Sequence, residues 1–509
     1  MQLTKLSFKA IPVLILACFA TTGFAQTSSK KLTDIESTYP VLDQLFREYG
    51  EKNHFPGFTY GLVVDGKLVH TSVLGYTDLD KKTMVTPQSD FRIASMSKSF
   101  TAMAILKLRD EGKLKLDDAV YLYIPEMKGQ SNLTSDAPVI TIRNLLTHSA
   151  GFPEDNPWGD RQLAVSDETM LAMIKKGISF SNAPGIAYEY SNMGFAMLGY
   201  IIKKVSGQSY EKYINNNILI PLGMTHTYWD YKAVAAKDLA HGYRWLNEQY
   251  IEQPLLGDGA YGAMGGMLTT MEDFSKYVAF HNAAWPARND KETGPVKRSS
   301  IREMHHAWNP SQLQPTYKYP GGRACPIMVA YGYGLNWTND CENRIIIGHS
   351  GGLPGFGSNW RMLPDYGIGI ISFANRTYGP ASVFNMLLLD TLINLAKLQP
   401  AILPPSSILN QRKNELVKLL PNWANAAATG IFAENFFMDY FPDALKKEAT
   451  DIYNKAGKIV RIHDFVATNN LRGSFVMEGE NGNIEVSFTL TPENPALIQE
   501  YHIKLVERK

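Results

Sequence analysis

The sequence predicts an α+β protein in two parts: a sheet with helices on both faces and a helical insertion, then a small α+β module. Three observations carry this. Strand-like runs lie on either side of a long, mostly helical stretch, and a helix flanks them at each end. Residues 399–407 (QPAILPPSS) form a proline-rich connector. Beyond the connector, helical stretches come first and four strand-like runs follow, as in helices packed on an antiparallel meander.

At 509 residues the chain is too long for a single core. The apolar fraction, 45%, is that of a globular protein. Fifty basic residues face 49 acidic ones, so the basic surplus of a nucleic-acid partner is missing. Residues 1–25 read as a signal peptide. Lys5 and Lys9 precede an apolar run (residues 10–20) too short to cross a bilayer, and Gly23 and Ala25 suit cleavage before Gln26. The expected location is periplasmic or secreted, and the alternative is a lipoprotein anchored at Cys18. No later run is long enough for a transmembrane helix in the mature chain. Cys325 and Cys341 remain, and an oxidising compartment permits them to pair. Residues 330–337 between them read as one strand, however, and a straight strand holds its ends too far apart. The favoured expectation is two separate thiols, with the disulfide left open.

Taken in order, residues 32–52 have the spacing of an amphipathic helix. Residues 58–75 alternate as a strand pair turning at Asp65-Gly66. Residues 97–111 are strongly apolar at helical spacing and stop at Gly112. Residues 132–277 mix short helices with Gly/Pro-rich loops such as 150–160. Residues 331–337, 344–347, 358–363 and 367–374 read as strands, and 384–398 as an apolar helix. The first domain therefore spans 32–398. The second, 408–509, has helical stretches at 408–420 and 432–456 and strands at 458–465, 471–477, 483–491 and 496–506.

Ser95-Met96-Ser97-Lys98 opens the most apolar helix of the first domain. Positions i and i+3 share a helix face, so Lys98 falls one turn from Ser95. A serine hydroxyl needs an adjacent base, and lysine serves only when desolvation or nearby positive charge makes it neutral. The spacing is cheap: Ser28-Ser29-Lys30-Lys31 and Ser209-Tyr210-Glu211-Lys212 match it too. Ser28 lies in the polar stretch after the leader, and Ser209 reads as a helix cap. Tyr190-Ser191-Asn192 follows a Pro184-Gly185 turn ahead of an apolar helix. A tyrosine hydroxyl relays protons beside a lysine, and an asparagine amide holds both the lysine and a substrate carbonyl. A buried tyrosine with a satisfied hydroxyl would look the same, and Tyr213-Ile214-Asn215 repeats the pattern. His349-Ser350-Gly351-Gly352 follows a strand, where glycines let a substrate backbone approach. The amides of Ser95 and Gly352 would then form an oxyanion hole, in which one donor is worth roughly 3 kcal/mol. The plainer reading of His349 is a strand-end histidine in a polar turn.

Together the three elements resemble the serine β-lactamase and penicillin-binding protein superfamily. The closer resemblance is to its class C β-lactamase, esterase and D-aminopeptidase branch, peptidase family S12. It extends over roughly residues 32–398. Thr141-Ile142-Arg143-Asn144-Leu145-Leu146-Thr147-His148-Ser149-Ala150-Gly151 is similar to that branch's loop before the helical insertion. Pro221-Leu222-Gly223-Met224, Gly265-Gly266-Met267 and Glu272-Asp273-Phe274 are similar to its recurring segments. The resemblance implies the β-lactamase/transpeptidase-like fold, in which that sheet is antiparallel, and an acyl-enzyme on Ser95, with Lys98 and Tyr190 moving protons. It further implies substrate contacts from Asn192, His349, Gly351 and Gly352, and neither cofactor nor metal. The expected partner is a small peptide or ester, and the oligomeric state stays open.

His148 is tempting as a catalytic histidine, but its match lies in a structural loop of the family, and it is read as packing. One departure matters: relatives that hydrolyse β-lactams usually carry Lys-Thr-Gly where this chain has His349, and the lysine attracts a carboxylate. Histidine is mostly neutral at pH 7, so β-lactam turnover is expected to be weak; relatives with histidine there are often D-amino-acid peptidases or esterases, and the resemblance implies a D-amino-acid amide or an ester as substrate. The alternative is a penicillin-binding protein, D,D-carboxypeptidase or sensor that is acylated with little turnover. The C-terminal module resembles cystatin- or NTF2-like appendages through Asn470-Leu471-Arg472-Gly473 and Phe488-Thr489-Leu490-Thr491-Pro492, and a structural or docking role is expected of it.

Overall fold

The computed structural model describes residues 29–130 and 133–507. The leader, its cleavage site, Cys18 and Ser28 lie outside the described residues. The chain divides into two compact units between Gln399 and Pro400. Among the described residues no helix is long and apolar enough to cross a membrane.

The first unit is built on a nine-stranded antiparallel sheet. Its strands are β1 (Gly57–Val64), β2 (Lys67–Asp78), β3 (Thr83–Met84), β4 (Asn309–Gln314), β5 (Ile327–Tyr331), β6 (Asn336–Asp340), β7 (Ile345–Leu353), β8 (Phe356–Leu363) and β9 (Ile368–Ala374). Their spatial order is β3-β2-β1-β9-β8-β7-β6-β5-β4. The first strand pair thus meets the last strand of the later run, Phe58 opposite Ala374 and Val64 opposite Ile368. Every residue of β1 is buried, as expected of a strand covered on both faces.

Alternate side chains feed two cores. Phe58, Tyr60, Leu62 and Ile370 pack with α1 (Tyr39–Lys52) and α6 (Ala381–Leu395) through Phe46, Phe384 and Leu388. Val63, Trp360, Ile371 and Phe373 pack on the other side with α2 (Ser97–Asp110), α3 (Asn192–Ser206) and α5 (Met271–Asn282). The helical insertion sits in this second layer. Helix α2 is buried nearly all round, Lys98 included, which marks a central core helix carrying one costly charge.

Three local expectations change. The helix expected over 32–52 is interrupted at Ser37-Thr38; Pro40, which lacks an N–H, sits in the first turn of α1 and starts it afresh. The strand expected over 330–337 is a hairpin: Gly332 to Leu335 turn the chain, with Gly334 at φ +67°. This corrects the expectation of two separate thiols. Ile327 pairs with Asp340, so the open end of the hairpin brings Cys325 and Cys341 to a Cα separation of 5.4 Å, and they form a disulfide.

In the second unit the third change appears: five strands rather than four. These are β10 (Ile459–Ile462), β11 (Val466–Asn469), β12 (Arg472–Gly479), β13 (Asn483–Leu490) and β14 (Ile498–Val506). Their order is β10-β12-β13-β14, and the additional strand β11 folds back on β12. Helices α7 (Ser407–Leu419) and α8 (Pro442–Ala456) cover the alternating apolar face through Leu409, Leu416, Leu445 and Ala449.

Candidate active site

Ser95 sits on a clamped turn at the start of α2. The two-residue strand Phe91–Arg92 pairs with Leu268–Thr269, and Ile93 N–H donates to the Met267 carbonyl. Ala94 then takes φ +50°, a conformation that side-chain-bearing residues adopt rarely and that gathers at functional turns. Ser358 Oγ donates to the Ile93 carbonyl at 2.7 Å, and Ser97 Oγ to the Ala94 carbonyl at 2.7 Å. Beside this turn runs β7. A methyl on Gly351 would lie 2.1 Å from the Ile93 carbonyl oxygen, so only glycine lets the strand pass so close. Ser95, Gly351 and Gly352 line one cleft of about 680 Å³.

Lys98, one turn along, is fully buried. Its Nζ lies 2.7 Å from Asn192 Oδ1, 2.8 Å from the Met264 carbonyl and 3.1 Å from Ser95 Oγ. Burial pulls its pKa from 10.5 down to about 7, while Asp160 and Asp155 pull it back up. A neutral amine has two N–H bonds and one lone pair. The two obligate acceptors take the N–H bonds, so the lone pair is left facing the serine hydroxyl. The short helix α4 (Gly262–Gly265) delivers that carbonyl. Gly262 is packed so tightly that a Cβ would overlap Asp258 and Tyr210.

Tyr190 and Asn192 reach the same point from the start of α3. Ser191 caps this helix through its own hydroxyl, and Asp155 accepts from Asn192 N at 2.6 Å and Met193 N at 2.9 Å. The Lys98 Nζ lies 4.8 Å from the Tyr190 ring centre. Burial pushes the Tyr190 hydroxyl well above 10, against a hydrogen bond with Ser95 that lowers it. Asn192 differs from expectation: it is fully buried, and its Nδ2 donates to Asn156 Oδ1 at 3.0 Å. Both ends of the amide are occupied by protein, so it holds the lysine while Asn156 lines the cleft.

His349 lines the cleft from β7. Its Nδ1 lies 2.6 Å from the Ser350 carbonyl, which can only accept, so Nδ1 carries the proton. Nε2 then accepts from the Tyr331 hydroxyl at 2.8 Å. Burial, followed by Lys98, drives its pKa down to about 3. The imidazole therefore stays neutral well below pH 7, and mild acidification gives it no charge with which to hold a carboxylate. His148 packs between Tyr190 and Tyr331, with ring centres 4.2 and 4.5 Å away. Its Nδ1 accepts from Ser191 N, and burial holds it well below 6.5.

Ser209 caps the short helix Tyr210–Ile214, and Tyr213-Ile214-Asn215 falls within and just after that helix. Neither lines the cleft. Residues that the sequence did not single out complete the site: Glu154, Asn156, Asp160, Tyr188 and Tyr378 line it, and Asp155 and Tyr331 brace it. Asp160 accepts from the Tyr378 hydroxyl at 2.9 Å, and burial raises its carboxyl to about 6. The loop 150–160 was visible as Gly/Pro-rich, but no local spacing marks its acids. No group of three or more His, Cys, Asp or Glu among the described residues could hold a metal ion.

The Beta-lactamase family matches residues 42–394 of this chain. Protein flp of Staphylococcus aureus (strain COL) is 31% identical over 384 residues, covering 74% of this chain and 70% of that protein. Penicillin-binding protein 4* of Bacillus subtilis (strain 168) is 26% identical over 353 residues, covering 66% and 71%. Among solved structures, an octameric penicillin-binding protein homologue from Pyrococcus abyssi covers 92% of this chain and 96% of its own, at 24% identity and a TM-score of 0.59. A class C β-lactamase covers 70% and 96%, at 23% identity and a TM-score of 0.55. Both share the fold.

Proposed function

The chain belongs to the Beta-lactamase family, and from that premise we propose that it is a serine hydrolase forming an acyl-enzyme on Ser95. Its substrate is a D-amino-acid-containing peptide amide or an ester, and β-lactams are hydrolysed weakly. The observation that carries this is the Lys98 amine, whose Nζ lies within hydrogen-bond reach of Ser95 Oγ, Asn192 Oδ1 and the Met264 carbonyl; in the neutral form its two N–H bonds go to the two obligate acceptors and its lone pair to Ser95.

Lys98 takes the Ser95 proton as Oγ attacks the carbonyl carbon. The carbonyl π-bond becomes an oxyanion, held by the amides of Ser95 and Gly352. Tyr190, whose ring lies beside Lys98, relays that proton from Lys98 to the leaving amine or alcohol as the scissile bond breaks. Water then attacks the ester, giving its proton back through the same pair and releasing the acid. His349 and Gly351 shape the strand edge on which the substrate backbone lies. Secretion or export to the periplasm belongs to the same reading, and the C-terminal unit serves a structural or docking role.

A second reading has one observation behind it, the likeness to a relative described as a penicillin-binding protein: acylation with little turnover. Labelling by a fluorophosphonate, lost in Ser95→Ala, tests the nucleophile. Labelling that survives and maps to Ser209 rejects it. Assays with nitrocefin, p-nitrophenyl esters and D-amino-acid p-nitroanilides separate the readings, because a burst without steady turnover belongs to the second.

A further inference from the structure

The cleft is charged in one sense only. Glu154 and Asp160 line it, and none of its lining residues is lysine or arginine. His349, at the position where a carboxylate would be read, is a neutral donor to Ser350 and acceptor from Tyr331. Lys98 lies beneath, fully buried and committed to Asn192 and Met264.

Asp160 stands out within this cleft. It is 2% exposed, and among the described residues its Oδ1 has no hydrogen-bond partner. Its Oδ2 has one neutral donor, the Tyr378 hydroxyl. A buried carboxylate normally gathers several donors or a cation, and among the described residues none forms an ion pair with this one; Lys98 acts on it only at a distance. Tyr378, the one hydrogen-bond donor to it among the described residues, is 47% exposed and lies at the cleft wall beside Gly352, where a Cβ would touch its ring at 2.8 Å. An exposed tyrosine is free to swing aside, and a charge-assisted bond is about twice as strong as the neutral one it replaces.

We propose that Asp160 is the binding site for a protonated amine of the substrate, which displaces the Tyr378 hydroxyl from it. The cleft then selects amides or esters with a free ammonium near the scissile carbonyl and disfavours those with a carboxylate there. The assignment of a substrate rests on the hydrolase reading; the amine site itself does not.

The test uses full-length Ser95→Ala, which binds without turnover, and two probes of one shape: D-phenylalaninamide and 3-phenylpropanamide, which lacks the amine. Affinities are measured by ligand-observed NMR at pH 7. The amine should bind about tenfold to a hundredfold more tightly, and adding Asp160→Asn should abolish that preference. Equal affinities, or a preference that survives Asp160→Asn, would overturn the proposal. Tyr378→Phe, an exposed change that keeps the fold, removes the competing hydroxyl and should widen the preference; no widening counts against displacement. If the unmodified enzyme fails to turn over any substrate while Ser95→Ala keeps the preference, the hydrolase reading falls and the amine site stands.

Discussion

Asn192→Leu probes how the serine is activated. In the native site Asn192 Oδ1 accepts from Lys98 Nζ at 2.7 Å, and the lysine titrates at about 7 because burial outweighs the nearby carboxylates. A hydrogen bond to a charged donor is worth about 1.5–3 kcal/mol and one to a neutral donor about 0.5–1.5. Losing the acceptor therefore penalises the ammonium form more, by about 1 kcal/mol, or about 0.7 of a pH unit. Leucine also removes a local dipole, which adds to burial in the same direction. The assay is the rate at which a fluorophosphonate modifies Ser95 between pH 5 and 9, which needs no knowledge of the natural substrate. The native rate should climb tenfold per unit below a midpoint near 7 and then level off. In the variant the midpoint should fall by about half to one unit, with a lower plateau because the amine is no longer aimed. A midpoint that stays put or rises would show that Lys98 is not the group titrating, and the activation scheme would fail.

Tyr190→Phe keeps the ring against Lys98 and His148 but removes the hydroxyl; kcat with an amide should fall by about two to four orders of magnitude, and retention of most activity would remove the relay. His349→Lys should not create a carboxylate site. The new ammonium would be buried near Lys98, so kcat/KM should fall for nitrocefin and for a neutral p-nitrophenyl ester alike; a selective gain on nitrocefin refutes this. Reduction or double replacement of Cys325 and Cys341, which enclose a 16-residue separation, should cost about 3 kcal/mol of stability. Denaturant titration checks that, and an unchanged midpoint means that the hairpin is held without it.

What was legible in the sequence was local. Ser95 and Lys98 share one helix face, and Tyr190 and Asn192 lie two residues apart before another helix, so each pair announces itself within a turn of chain. The hairpin at Asp65-Gly66 and the apolar run of α2 were readable for the same reason. The partners that finish the chemistry were not. The second acceptor for Lys98 is a backbone carbonyl, at Met264, and carbonyls leave no mark on a sequence. Asp155 caps a helix that begins 37 residues later, and Tyr378 meets Asp160 across 218 residues. Tyr331 reaches His349 only because Tyr331 pairs with Asn336 and Asn336 with Gly348 across neighbouring strands. That same hairpin defeated the reading of the cysteines, since Gly332 and Gly334 were taken as part of a strand. How firmly His349 is held neutral was not legible either, because burial sets its pKa and burial is a tertiary fact.

The charges of the site are linked, and the linkage carries a last prediction. Asp160 raises the pKa of Lys98 and Lys98 lowers that of Asp160. A cation bound at Asp160 cancels the pull of that carboxylate, and the cation's own charge disfavours a second ammonium nearby. Both effects lower the pKa of Lys98, so an amine-bearing substrate would free the base that attacks on its behalf. The pH dependence of kcat/KM reports ionisations in the free enzyme, and that of kcat reports those in the complex. For a D-amino-acid p-nitroanilide with a free amine, the acid limb of kcat should therefore lie below the acid limb of kcat/KM. For the des-amino analogue, which leaves Asp160 uncompensated, the two limbs should coincide. Limbs that coincide for both substrates would mean that the amine, if it binds at all, sits too far from Lys98 to govern it. A kcat limb displaced upward would overturn the linkage, because a bound cation can only lower the pKa of Lys98.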